Sequence, residues 1–171
     1  TLEFSDMRKF GWIRLVPTSE DEVLGGIAAL DIAAVSPQLR PNLFRTLLSN
    51  RGRRSIGEAL LDQGLIAGVG NIYRSESLFL AGIRPDRPVE SLRSSEWEAL
   101  LPAVKRVLRQ AARLGGTSDG DFRDIDGLSG RFQRALSVYG REGLCCKKCD
   151  TIVERIKIGQ RSAFFCPRCQ H

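Results

Sequence analysis

Cys146-Lys147-Lys148-Cys149 and Cys166-Pro167-Arg168-Cys169 stand 16 residues apart, and this spacing decides the fold of the C-terminal part of the chain. Each Cys-x2-Cys pair lets two thiolates approach one ion from a tight turn. Two such pairs at this separation match a four-thiolate zinc site. Four thiolates leave no open coordination position, so one zinc here orders a fold and performs no chemistry. Two disulfides or buried free thiols are the competing readings. No charged-then-apolar leader opens the sequence, and the expectation is a soluble, cytoplasmic protein in a reducing compartment, which favours metal. Cys145 reads as a spare thiol, because Cys146 alone has the two-residue spacing to Cys149.

The segment between the pairs has the length of a β-hairpin. Residues 152–158 read as a strand, 159–162 as a turn and 163–165 as the return strand. The metal would pin both ends of that hairpin and stiffen its tip, where Gln160 and Arg161 lie with Arg155 and Lys157 nearby. The net charge is +6, and residues 131–171 carry all of it, with nine Lys or Arg against three acids. A basic end of this kind suits a polyanionic partner, since cations gain affinity by displacing counterions from phosphates; a solubilising surface is the bland alternative.

Upstream, residues 41–49 and 56–63 read as helices separated by a polar stretch, and 64–70 is too glycine-rich to continue a helix. Asn71 stands at the expected N-cap of the next helix, which runs through Tyr73, Glu76 and Phe79 and stops at Gly82, with Pro85 beyond. Glycines feeding a helix N-terminus expose unpaired N–H groups and the positive end of the helix dipole, a place for phosphate; an ordinary tight turn is the plain alternative. Ser95 with Glu98 forms a capping-box pattern before an amphipathic helix ending near Gly115 and Gly116, with a kink or a late start expected at Pro102. Lys105, Arg109 and Arg113 read as a solvated stripe on that helix.

Residues 1–6 and 11–16 alternate like two strands, and a hairpin alone is not stable in water. They read as a remnant of a β domain, joined to the helices by a linker over 17–38. No apolar run approaches the roughly 18 residues a membrane-spanning helix needs. The fold class expected is mainly α with small β. The divisions are remnant strands at 1–16, the linker, a helical domain at 39–135 and a zinc hairpin at 136–171.

Leu60-Leu61-Asp62-Gln63, Gly68-Val69-Gly70-Asn71-Ile72-Tyr73, Gly115-Gly116-Thr117, Val138-Tyr139-Gly140-Arg141 and Phe165-Cys166-Pro167-Arg168-Cys169-Gln170 resemble, in order and spacing, the formamidopyrimidine-DNA glycosylase and endonuclease VIII family, and more closely its formamidopyrimidine branch. The resemblance implies a helix-two-turn-helix domain followed by a zinc-finger hairpin, after an N-terminal β-sandwich. It implies a base-excision-repair DNA glycosylase and AP lyase that removes oxidised purines (8-oxoguanine and formamidopyrimidines) by base flipping and Schiff-base chemistry. The partner it implies is damaged double-stranded DNA, met by a monomer in the bacterial nucleoid.

On that pattern Asn71 and Arg161 contact backbone phosphates, with Tyr73 and Lys157 beside them. Arg8 and Phe10 belong to a void-filling loop, and Thr117, Ser118, Phe122 and Arg123 to a loop covering an everted base. Three departures stand out. Gly57 follows Ile56 where the family usually has lysine, the linker around 31–37 differs, and the chain opens Thr1-Leu2-Glu3 where the family nucleophile is an N-terminal proline amine. A threonine in a strand cannot supply that amine, so no catalytic residue is assigned and the 171 residues alone are expected to bind DNA without catalysis. A non-catalytic zinc-containing nucleic-acid-binding module is the alternative.

Overall fold

The computed structural model describes residues 33–50, 52–117 and 130–171. The strands expected at 1–16, with Arg8 and Phe10, lie outside the described residues, as do most of the linker and Ser118, Phe122 and Arg123.

Helix α1 (Pro41–Ser49) opens on a proline, whose missing N–H would have no helical partner in the first turn, and buries Phe44 and Leu48. Helix α2 (Ile56–Ala59) opens on a capping box: Ser55 Oγ accepts from Glu58 N at 3.2 Å and the Glu58 carboxylate accepts from Ser55 N at 3.3 Å. It stops at Ala59, short of the expected Gln63, because the next side chains take up backbone groups of the turns. Asp62 Oδ1 accepts from Gly64 N, Gln63 Oε1 accepts from Gly68 N, and Gln63 Nε2 donates to Val69 O. Such local bonds compete with the helical ladder.

Helix α3 (Asn71–Ala81) is capped by Gly70, not Asn71 as expected. The connector stays extended through Gly70 (φ −93°, ψ 179°), so helical geometry begins at Asn71, and the Asn71 side chain makes no capping bond. The helix ends at Gly82, whose φ of 73° lets Ile83 N reach back to Leu78 O at 3.0 Å.

Helix α4 (Ser94–Arg113) corrects two expectations. Its N-cap is Arg93, and the Glu96 carboxylate, not Glu98, returns to the Arg93 N–H at 2.7 Å, since the helix enters two residues earlier than the Ser95 pattern implied. It neither starts late nor breaks at Pro102, which is exposed. Phe44 meets Trp97 edge-on at 6.1 Å in a core completed by Leu60, Ile66, Leu78 and Leu100. Lys105 is not part of a solvated stripe: its Nζ donates to Ser36 O and Leu39 O and ties residues 36–39 to α4, while Arg109 and Arg113 stay exposed.

Strands β1 (Glu154–Ile158) and β2 (Arg161–Phe165) form an antiparallel hairpin with Ile158 opposite Arg161. The turn is two residues, Gly159 and Gln160, rather than the expected 159–162, because Gly159 adopts the positive φ (58°) that a tight hairpin turn uses. Arg161 and Ser162 therefore belong to the return strand. Ile152, expected at the head of the first strand, instead bridges Cys145 in the loop before β1. Among the described residues no helix is long and apolar enough to cross a membrane.

Candidate nucleic-acid interface and metal centre

The hairpin carries one cysteine pair before β1 and one after β2, and folding brings all four sulfurs within 4.8 Å of one another. Cys149 Sγ lies 3.4 Å from Cys166 Sγ and 3.3 Å from Cys169 Sγ, and Cys146 Sγ lies 3.9 Å from Cys169 Sγ. A tetrahedral site with Zn–S of about 2.3 Å has sulfur–sulfur edges of roughly 3.8 Å, so the four fit one zinc ion. In the first knuckle Lys148 N donates to Cys146 Sγ, and Asp150 turns the chain with φ 59°.

The Thr151 hydroxyl and backbone hydrogen bonds hold the Cys149 thiol down at about 6, while burial pushes Cys166 up and Cys169 up to about 12. Four sulfurs so placed cannot all ionise without a cation among them, which is the chemistry of a zinc knuckle. The arrangement is an FPG-type zinc finger consistent with one structural zinc. Cys145 is exposed and outside the cluster.

The finger is bolted to the helices by polar groups that sequence reasoning did not single out. The Glu76 carboxylate accepts the N–H groups of Ser137, Val138 and Tyr139, each at 2.9 Å. Gln170, buried, accepts from Cys166 N and donates to Ile83 O, joining the second knuckle to the end of α3. The Arg84 guanidinium lies 4.6 Å above the Phe165 ring. The signal in the sequence is that α3 lacks a clean apolar stripe; the structure then buries its polar run Arg74, Ser75, Glu76 and Ser77.

At one edge of this seam the first turn of α3 meets the start of β2. Arg74, fully buried, donates from Nη2 to Ser162 O at 2.7 Å. Asn71 lies one turn earlier on the same face of the helix, and its Oδ1 is buried without a partner among the described residues. Arg161, adjacent to Ser162, is exposed at the hairpin tip. It shares a sheet face with Ile158, Ala163 and Phe165, all buried, so it projects from the side that packs on the helices. Lys157 and Arg155 lie on the opposite face, and Arg155 is paired with Glu142 at 3.0 Å. Tyr73 is half-buried, with its ring 5.8 Å from Phe132.

A concavity of about 320 Å³ is lined by Ile72, Thr117, Tyr139, Gly140, Arg141 and Lys147 among others. Thr117 Oγ1 and Arg141 Nε, both buried, have no partner among the described residues. Beside this wall the segment ending at Thr117 is joined to the segment from Gly130 by Arg131 N to Leu114 O (2.8 Å) and Phe132 N to Gly116 O (3.1 Å).

Residues 31–122 match the formamidopyrimidine-DNA glycosylase H2TH domain, and residues 143–171 match the zinc finger found in FPG and IleRS. A formamidopyrimidine-DNA glycosylase of Rippkaea orientalis (strain PCC 8801 / RF-1) is 40% identical over 171 residues, covering 99% of this chain and 60% of the relative. That of Serratia proteamaculans (strain 568) is 44% identical over 171 residues, covering 99% and 62%. Among solved structures, the MutM (Fpg) protein from Thermus thermophilus superposes with a TM-score of 0.81 at 40% identity, covering 88% of this chain and 57% of that one. The complex between Lactococcus lactis Fpg and abasic-site-containing DNA superposes at 0.87 and 32% identity, covering 98% and 61%. The chain spans about 60% of the length of the curated relatives it matches. With its fold, its cysteine cluster and more than half its length matched in this way, the chain belongs to the formamidopyrimidine-DNA glycosylase family, of which it carries the helix-two-turn-helix domain and the zinc finger.

Proposed function

We propose that the chain grips damaged double-stranded DNA by its phosphates, with Asn71 at the start of α3 and Arg161 at the hairpin tip as the primary contacts. The observation that carries this reading is the meeting of those two elements: the Arg74 bond to Ser162 O fastens the first turn of α3 to the residue next to Arg161. A helix N-terminus offers unpaired N–H groups and a positive dipole end, and an arginine fork suits a phosphate beside it. The solved relatives described as bound to abasic-site or Fapy-dG DNA support the same partner.

On this reading residues 39–135 and 136–171 act as the two gripping parts, after strands at 1–16 and a linker at 17–38. Tyr73 supports the α3 contact from within the fold, and Lys157, from the other face of the hairpin, adds positive field. Arg8 and Phe10 fill the gap left by an everted base, over which Thr117, Ser118, Phe122 and Arg123 close. The whole enzyme is a bifunctional glycosylase and AP lyase of the bacterial cytoplasm, acting as a monomer on oxidised purines. The 171 residues by themselves bind without excising bases, since none of them matches the family's amine nucleophile.

The test is fluorescence anisotropy with a duplex bearing an abasic-site analogue. Arg161→Ala and Asn71→Ala should each weaken binding by about 1–3 kcal/mol, and Arg161→Ala, which removes a cation, should also lower the salt slope by about one. Wild-type affinity in both variants, or preference for single-stranded RNA at matched salt, overturns the reading. Strand cleavage at an abasic site by the purified chain would refute its catalytic silence.

A further inference from the structure

Arg74 is an unusual core residue. It is fully buried, yet no carboxylate pairs with it among the described residues, and the hydrogen bond it makes is to a neutral carbonyl, Ser162 O. Its Nε and Nη1 are buried with no partner among the described residues. Burial pushes its pKa down to about 10, and Arg161 pushes the same way, against the opposing pull of Tyr139 and Glu58. For stability alone this is a poor choice, because a buried, half-satisfied cation costs more than an apolar side chain of similar volume.

Its placement has a mechanical logic. In a two-residue hairpin the pair flanking the turn, Ile158 and Arg161, exchanges both ladder bonds, so the next pair, Lys157 and Ser162, does not. The Ser162 carbonyl therefore faces outward from the hairpin, and Arg74 Nη2 meets it at 2.7 Å. From α2 the hairpin meets Gly57, beside Ile158 Cδ1, and the Glu58 carboxylate, beside the turn at Gly159, and neither offers a side-chain donor to the Ser162 carbonyl.

We propose that Arg74 is a positioning residue for phosphate binding: anchored on Ser162 O, it fixes the start of β2 against α3, so that Arg161 is held beside Asn71 with a second, buried positive charge behind it. Two cations meet here with no carboxylate bonded to Arg74 among the described residues, an arrangement that a phosphate anion relieves. Because Arg74 has no solvent-facing donor, it acts through Arg161 and through the local field rather than by touching DNA. This inference rests on the phosphate-gripping reading above.

The experiment is a double-mutant cycle in the full 171-residue chain, measuring affinity for an abasic-analogue duplex and its salt dependence, with melting temperature and zinc content recorded for every variant. Arg74→Met should bind about tenfold more weakly than wild type while keeping its melting temperature and its one zinc. In an Arg161→Ala background the same change should cost less than about twofold, because the two act as one unit. Arg74→Lys, which keeps the charge and one donor for Ser162, should recover at least half of the loss on a logarithmic scale.

If Arg161→Ala itself leaves affinity unchanged, the gripping reading fails and takes this inference with it. If Arg161→Ala weakens binding but Arg74→Met does not, only the positioning role is lost. Independent, multiplying losses in the cycle overturn it as well. So does a melting-temperature drop in Arg74→Met with unchanged affinity of the folded protein, or an Arg74→Lys variant that folds but binds no better than Arg74→Met.

Discussion

The carboxylate of Glu76, in the middle of α3, receives the N–H of Val138 at 2.9 Å, together with those of Ser137 and Tyr139 on either side. One buried side chain thereby fixes the path of the chain into the first zinc knuckle, and the Val138-Tyr139-Gly140-Arg141 motif is shaped by a residue 62 positions away.

Glu76→Gln keeps the volume but replaces one acceptor oxygen by a donor that faces backbone N–H groups. Hydrogen bonds to a charged acceptor are the stronger kind, and an opposed pair of donors is left behind. The expected loss is on the order of 2–3 kcal/mol in chemical denaturation, with earlier zinc release. A loss below about half a kcal/mol would show that the three N–H groups find other partners.

Zinc removal should unfold the finger and leave the helices. Chelation is expected to abolish β-hairpin signals for residues 154–165 in amide exchange while protection persists in α3 and α4. Protons compete with the metal for thiolates, so zinc is lost as pH falls. Thr151→Val, which removes the hydroxyl that holds Cys149 down at about 6, should move that loss to higher pH. Cys145→Ser should leave one zinc per chain; a fall in metal content in that variant would make Cys145 a ligand.

Glu96 lies between Arg87 and Arg93. Burial opposes its ionisation, but hydrogen bonds from both arginines and from Arg93 N outweigh it and hold the carboxyl at about 2 against an ordinary 4.5. A carboxyl depressed on folding contributes in full above 4.5, and that contribution drains away as pH falls toward 2. Glu96→Gln should therefore be less stable than wild type by on the order of 2 kcal/mol at neutral pH, with the gap narrowing on acidification, in urea midpoints compared at about pH 7 and about pH 3. A gap of equal size at both would remove the ionised pair as its cause.

Gly57→Ala and Gly57→Lys should both destabilise the fold, although lysine is the residue the family resemblance leads one to expect. A Cβ would approach Pro85 O to 2.6 Å, and Gly57 N already donates to that oxygen at 3.0 Å, so the backbone has no room to yield. The expected cost is about 1–3 kcal/mol in thermal or chemical denaturation. A stable Gly57→Lys protein would mean that α2 can slide away from the loop at Pro85.

The elements with a local cause were legible from the residues themselves. Pro41 and the spacing of Phe44 and Leu48 mark α1 at its observed bounds, Gly82 stops α3, and the two cysteine pairs announce the metal centre. Boundaries failed where a local side-chain bond to the backbone, or a residue held in extended geometry, set the end of a helix, neither of which hydrophobic periodicity registers. Asp62 and Gln63 ended α2 early, Gly70 took the cap from Asn71, and in α4 Arg93 with Glu96 took the capping-box places expected of Ser95 and Glu98.

What the candidate site owes to the linear order of residues is its inventory: four thiols at ligand spacing, a glycine-fed helix start at Asn71 and an arginine at a hairpin tip. What only the tertiary structure decided is how those parts are held together. Arg74 meets Ser162 across 88 positions, Glu76 meets Val138 across 62, and Gln170 meets Ile83 across 87. Local patterns follow from the backbone's own periods of two and 3.6 residues, whereas contacts at such separations exist only once the chain has packed, because burial and not spacing chooses the partner.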